Sequence, residues 1–248
     1  MTIHIIGSPV SPYVRKVMFC LAQKEVAFDF DPITPFFGNE EFDRLSPLRR
    51  IPVFIDGDFV LNDSTVICEY IAERWPGPRL FPETPEDRAR ARWIEEYADS
   101  RIGDVMIWSL FFQRVIGPRL LKKPTDEARV TRALAQDIPA ILDWIEAQLP
   151  EQGFLFGDDI MLADVALQAS FANAAYAGWS LDAARWPLTA TWATRVEADR
   201  AVIPSRRWAD IMVTTKRDEV RARMADAGAL LWDKSHAREV PQPGIMPI

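Results

Sequence analysis

At 248 residues, 48% hydrophobic and 26% charged, the chain is long enough for one large or two modest domains and too apolar for disorder. A formal net charge of −7 argues against a general nucleic-acid or anionic-membrane binder. Cys20 and Cys68 are two lone cysteines and His4 and His236 two distant histidines, so neither a disulfide framework nor a metal centre is expected. Residues 1–30 lack the basic start and apolar run of a signal peptide. The uncharged segment 165–181 carries Gln168, Ser170, Asn173 and Ser180, which suits a buried helix better than a bilayer span. The expectation is a cytoplasmic protein.

Ile3–Ile6 reads as a first strand ending at Gly7. Val14, Val17, Met18 and Leu21 then recur at helical spacing, with Ser11 at the N-cap and Pro12 opening the helix. Residues 26–30 form a second strand. Residues 51–61 are two apolar runs around Asp56-Gly57, a hairpin signal. Asn62 or Asp63 caps the next helix, whose inner face takes Val66, Ile67, Tyr70 and Ile71. This order predicts a small mixed sheet with helical cover over residues 1–75. A proline-rich linker follows at 76–84, with Pro76, Pro78 and Pro82. The remainder reads as helical over 85–234, with helices near 85–116, 125–149, 162–178, 188–198 and 200–212 and a charged one near 215–231. An extended tail is expected at 235–248.

Three places could carry chemistry. Ser11-Pro12-Tyr13-Val14 puts a hydroxyl at a helix N-terminus, where free N–H groups and the helix dipole favour a negative sulfur. No cysteine is present there, so dithiol chemistry is excluded. Arg50-Ile51-Pro52 opens a strand with a proline; a cis bond there would turn the Ile51 backbone outward to pair with an extended peptide. Asp63-Ser64 opens a helix and could hold an α-amino-acid zwitterion, the helix start taking a carboxylate and Asp63 an ammonium. Alone, the two serine elements read more readily as plain helix caps, and the proline equally well as an ordinary edge proline.

Taken in this order, ahead of a proline linker and an all-helical remainder, they give a chain that resembles the cytosolic glutathione transferase family over residues 3–212. The resemblance rests on Gly7-Ser8-Pro9, Ser11-Pro12-Tyr13 through Val17, Ile51-Pro52, Asp63-Ser64 through Ile71, and Leu80-Phe81-Pro82. It is nearest to serine-type members, tau-like and bacterial. It implies a thioredoxin-like α/β domain, an all-α C-terminal domain, a homodimer and glutathione as co-substrate. Ser11 would donate to the glutathione sulfur, with Ser8 as the rival hydroxyl. Ile51 and Pro52 would hold the cysteinyl portion, Arg50 the glycyl carboxylate, and Asp63 and Ser64 the γ-glutamyl end. Asp99 and Lys16 match supporting positions. A pocket for a hydrophobic electrophile is expected between the domains, with Tyr13, Phe36, Phe37, Trp108, Phe111 and Phe112 as candidate walls. One departure is Met161, where a Ser or Thr usually caps the helix bearing Ala163-Asp164. The implied activity is glutathione S-transfer. The alternatives are a non-catalytic ligand-binding or regulatory relative and a glutathione-dependent peroxidase or dehalogenase.

Overall fold

Four short strands form one mixed sheet in the computed structural model of the chain, which describes residues 2–242. They are β1 (Ile3–Ile6), β2 (Phe28–Asp31), β3 (Val53–Asp56) and β4 (Phe59–Asn62), in the order β2-β1-β3-β4. β1 runs parallel to β2 and antiparallel to β3, and β3 is antiparallel to β4. A parallel pair needs a crossover, supplied by α1 (Pro12–Gln23). The hairpin needs only Gly57-Asp58, with Gly57 at φ 63°, a region that glycine enters without penalty. After β2, one 3₁₀ turn at Pro35–Phe37 leads to α2 (Glu40–Leu45), where Asn39 Oδ1 accepts from the Glu41 and Phe42 N–H groups. α3 (Ser64–Arg74) packs on α1. Ile6, Ile33, Phe42, Val53 and Ile55 form a buried cluster beneath the loops that leave the sheet.

Residues Arg79–Asp199 form a separate compact unit built from helices. α4 (Pro85–Tyr97), capped by Thr84, continues unbroken into a wider-turned segment, Ala98–Leu121. α5 (Glu127–Arg132) passes through a similar wide turn, Ala133–Asp137, into α6 (Ile138–Gln148). α7 (Leu162–Tyr176) is buried on every face from Leu162 to Ala174, as its alanine-rich sequence, uncharged after Asp164, requires. Met161 cannot cap it by side chain. Instead Asp164, fully buried, accepts from the Met161 N–H at 3.1 Å, the Leu155 N–H at 3.0 Å and Trp192 Nε1 at 2.9 Å. Burial pushes the Asp164 carboxyl up despite these bonds. α8 (Pro187–Glu197) borrows its cap from α6: Glu146 accepts from the Leu188 and Thr189 N–H groups at 2.9 and 2.8 Å.

The helical run expected to extend to residue 234 divides at residue 200, because the chain from Arg200 onward clusters with the sheet. α9 (Ile203–Thr214) packs on α1, and Trp208 lies 5.2 Å from Phe30 between ring centroids. α10 (Val220–Asp226) packs on α9. The following strap pairs with the outer edge of β2, Phe30 N–H donating to Leu230 O at 3.1 Å and Trp232 N–H to Phe30 O at 3.0 Å. It then crosses the 3₁₀ turn, bonding Asn39, Phe37 and Phe36 through His236 O, Arg238 N–H and Gln242 N–H. Both histidines flank Trp232: His4 stacks on it at 4.3 Å and His236 lies at 5.0 Å. Asp31, fully buried, accepts from the His236 N–H at 2.6 Å and from Arg221 Nη1 at 3.3 Å. The physical reason for this placement is an otherwise unpaired strand edge, which the strap covers. The last residues of the expected tail, 243–248, lie outside the described residues.

Candidate active site

The register of the sheet brings three loops to one end. Ile6 faces Val53, and Val53 faces Asn62, so the segments after β1, before β3 and after β4 emerge side by side. Strands stand about 4.8 Å apart, so the ends of β1 and β4 are separated by about 10 Å, the length of an extended tripeptide. Gly7 closes the first gap. A Cβ there would lie 2.7 Å from Val14 Cγ2 and 3.4 Å from Ile51 Cβ, so only glycine lets the Ile51 loop sit this close to the start of α1.

The turn at Ser8–Ser11 is hydrogen-bonded throughout its backbone. Ser11 N–H donates to Ser8 O at 3.0 Å, and Arg15 N–H to Ser11 O at 3.1 Å. Arg15 Nη1 donates to Pro9 O at 2.8 Å and Val10 O at 3.0 Å. Ser8 is buried at 1% exposure; its hydroxyl accepts from the Val10 N–H at 3.1 Å and donates to the Met212 sulfur at 3.0 Å. Ser11 is half-buried at the N-cap, with φ −71° and ψ 125°, yet its hydroxyl makes no cap bond. Of the two serines, one is consumed in structure and the other is left uncommitted at a helix N-terminus.

The Ile51–Pro52 bond is cis. The buried Ser46 hydroxyl closes the preceding loop, donating to Arg50 O at 2.8 Å and accepting from the Arg50 N–H at 3.0 Å. The Ile51 backbone N–H and C=O find no partner among the described residues, and neither does the exposed Arg50 guanidinium. Asp63 adopts φ 75° and ψ 122°, and its Oδ1 accepts from the Thr65 and Val66 N–H groups at 3.0 and 3.3 Å. Two of the N–H groups expected to hold a carboxylate are therefore occupied. The Ser64 hydroxyl and Asp63 Oδ2 find no hydrogen-bond partner among the described residues.

Other expected positions fall differently. Lys16 is 1% exposed, a cation buried within α1. Asp99 is half-buried at the start of Ala98–Leu121, in the helical unit. Phe36, Phe111 and Phe112 are buried, at 4%, 3% and 2% exposure, and are core residues where pocket walls were expected. Phe111 packs on Tyr176, and Phe112 on Trp108. Aromatics at helical spacing serve core and pocket alike, so spacing could not separate them. Tyr13, Phe37 and Trp108 keep partial exposure, with the Arg217 guanidinium 4.3 Å over the Phe37 ring. Arg15 and Ser46 were not singled out from the sequence: an arginine on an amphipathic helix normally reads as solvated, and nothing local marks this one as buried. Among the described residues no group of three or more His, Cys, Asp and Glu side chains is assembled for a metal. No helix there is long and apolar enough to cross a membrane.

Known proteins share this architecture and part of the sequence behind it. Residues 5–79 match the glutathione S-transferase N-terminal domain model, and residues 127–195 match the C-terminal one. The chain is 31% identical to glutathione S-transferase PARB of Nicotiana tabacum over 173 residues, covering 66% of this chain and 78% of that one. It is 32% identical to a glutathione S-transferase of Hyoscyamus muticus over 171 residues, with the same coverage, 66% and 78%. A solved glutathione S-transferase structure from Rhodospirillum rubrum F11 superposes with a TM-score of 0.75 at 22% identity, over 82% of this chain and 91% of its own. With both domain models matched and relatives above 30% identity aligned over most of their length, the chain belongs to the cytosolic glutathione transferase family.

Proposed function

We propose that the protein is a glutathione S-transferase in which Ser11 activates the glutathione thiol for attack on a hydrophobic electrophile. The observation that carries this reading is the uncommitted Ser11 hydroxyl beside the fully engaged Ser8. The unpaired Ile51 N–H and C=O support binding of the cysteinyl residue by strand-like pairing. Arg50 offers a cation to the glycyl carboxylate, and Asp63 Oδ2 with the Ser64 hydroxyl offers a site to the γ-glutamyl end.

A free thiol of pKa about 8.5 is only about 3% ionised at pH 7. A hydrogen bond to a charged acceptor contributes about 1.5–3 kcal/mol, or about one to two pKa units. Ser11 does this as a donor and keeps its own proton. The thiol proton leaves to solvent, and the N-terminus of α1 adds a smaller effect of the same sign. The thiolate then forms a carbon–sulfur bond as the leaving group departs with its electron pair. Tyr13 and Phe37 supply apolar surface for the electrophile on the same unit as Ser11.

The test is turnover with an activated aryl halide and with a hydroperoxide, comparing the native protein with Ser11→Ala. Ser11→Ala is expected to lower aryl-halide turnover about tenfold or more while glutathione affinity changes by less than about threefold. Native-like turnover in Ser11→Ala refutes the role. Glutathione binding without turnover on either substrate identifies a ligand-binding relative instead.

A further inference from the structure

The side chain that holds the Ser8–Ser11 turn in place comes from inside the helix that the turn begins. Arg15 sits in the early part of α1 and reaches back across the N-terminus to the carbonyls of Pro9 and Val10. It is 4% exposed. Burying a guanidinium is costly, and an apolar residue would serve helix packing better at this position. The two carbonyls could instead be met by water. What water does not supply is a fixed attachment: one guanidinium nitrogen, Nη1, donates to both carbonyls and ties them to the helix.

An N-cap serine ordinarily turns its oxygen onto the N–H groups of the first helical turn. Ser11 occupies that position in extended geometry without making the bond. The residues on its N-terminal side are pinned by the Arg15 guanidinium, and its own carbonyl by the Arg15 N–H. Ser11 is thereby held between two attachments to one residue. We propose that Arg15 is a positioning residue for catalysis: by fixing the Pro9 and Val10 carbonyls it keeps the Ser11 hydroxyl off the helix end and directed to the glutathione sulfur. This rests on the reading of Ser11 as the thiol's hydrogen-bond donor. Arg15 itself touches neither substrate.

The experiment follows the ultraviolet thiolate absorbance of bound glutathione against pH in the native protein, Ser11→Ala, Arg15→Met and Arg15→Lys, with steady-state kinetics and melting temperature on each. Arg15→Met is expected to raise the thiolate midpoint by about one unit. It should lower turnover below neutral pH about tenfold and leave the glutathione KM within about threefold. Arg15→Lys keeps the charge and a single donor nitrogen but not the length and planar stiffness of the guanidinium; it should fall between, about half a unit and threefold from native. Should Arg15→Met fail to fold, Arg15→Lys decides: an intermediate midpoint supports the proposal and a native midpoint overturns it. If Arg15→Met melts lower but keeps the native midpoint and turnover, Arg15 is only structural and the proposal falls alone. If the native protein shows no thiolate that Ser11→Ala removes, the reading of Ser11 fails and the proposal falls with it.

Discussion

Asp29 and Asp31 lie two residues apart on β2, and each carboxylate faces a histidine. Replacing each by alanine should have very different consequences. Asp31 and His236 are both wholly buried, and the Asp31 carboxylate gathers the His236 N–H, His236 Nδ1 at 3.2 Å and Arg221 Nη1 at 3.3 Å. Removing the carboxylate costs about 3–5 kcal/mol, because His236 stays buried without its acceptor, even though Arg221, 42% exposed, can turn to water. At about 2–4 °C per kcal/mol for a chain of this size, Asp31→Ala should melt about 6–20 °C lower. The His4–Asp29 pair keeps 24% and 21% side-chain exposure. Such pairs contribute about 0–1 kcal/mol, so Asp29→Ala should stay within about 4 °C of native. Scanning calorimetry gives the two shifts. Limited trypsin digestion gives the location, since a loosened strap frees the backbone at Lys234 and Arg238 for cleavage. Equal losses for the two variants, or an Asp31→Ala strap as resistant as the native one, would refute the argument.

Glu146→Gln should lower the melting temperature by about 2–8 °C, reflecting about 1–2 kcal/mol from weakened bonds to the start of α8. Partial burial pushes the Glu146 carboxyl up, but hydrogen bonds from the Thr189 hydroxyl and N–H and the Leu188 N–H outweigh it and hold it below the usual 4.5. Its stabilisation is therefore complete above pH 4.5 and disappears as the pH falls through the lower folded value. Melting curves across this acid range should show the native and Glu146→Gln proteins converging, and a constant gap would contradict the assignment. Gly7→Ala should cost about 1–3 kcal/mol by forcing Val14 and Ile51 apart and should weaken glutathione binding about tenfold, measured by titration calorimetry. Unaltered affinity would show that the spacing between the Ser11 turn and Ile51 does not matter for binding.

Much of the architecture was legible because its determinants are local. Pro12, Pro85 and Pro187 stand in the opening turns of helices, Asp63 caps α3, and Asp56-Gly57 marks the hairpin. The choice between Ser8 and Ser11 was not local: Ser8 is sequestered by Met212, 204 residues away in sequence. The burial of Arg15 was equally hidden, since an arginine on an amphipathic helix reads as solvated. Phe111 and Phe112 were expected in a pocket because aromatic spacing on a helix specifies a face and not what covers it, and Phe36 because a loop after a strand gives no sign of burial. The strap was the least readable element. It is joined to β2 and the following turn by single backbone bonds and ion pairs across about 200 residues, which leaves no periodic trace in a short, proline-containing tail.

The division at residue 200 also orders events during synthesis. The sheet is made before the helical unit, but the edge of β2 waits for a segment made after it, whereas Arg79–Asp199 is continuous and can mature in between. The unit begun earlier is thus completed later. A chain stopped before the strap would leave the β2 edge bare and open to pairing with other chains.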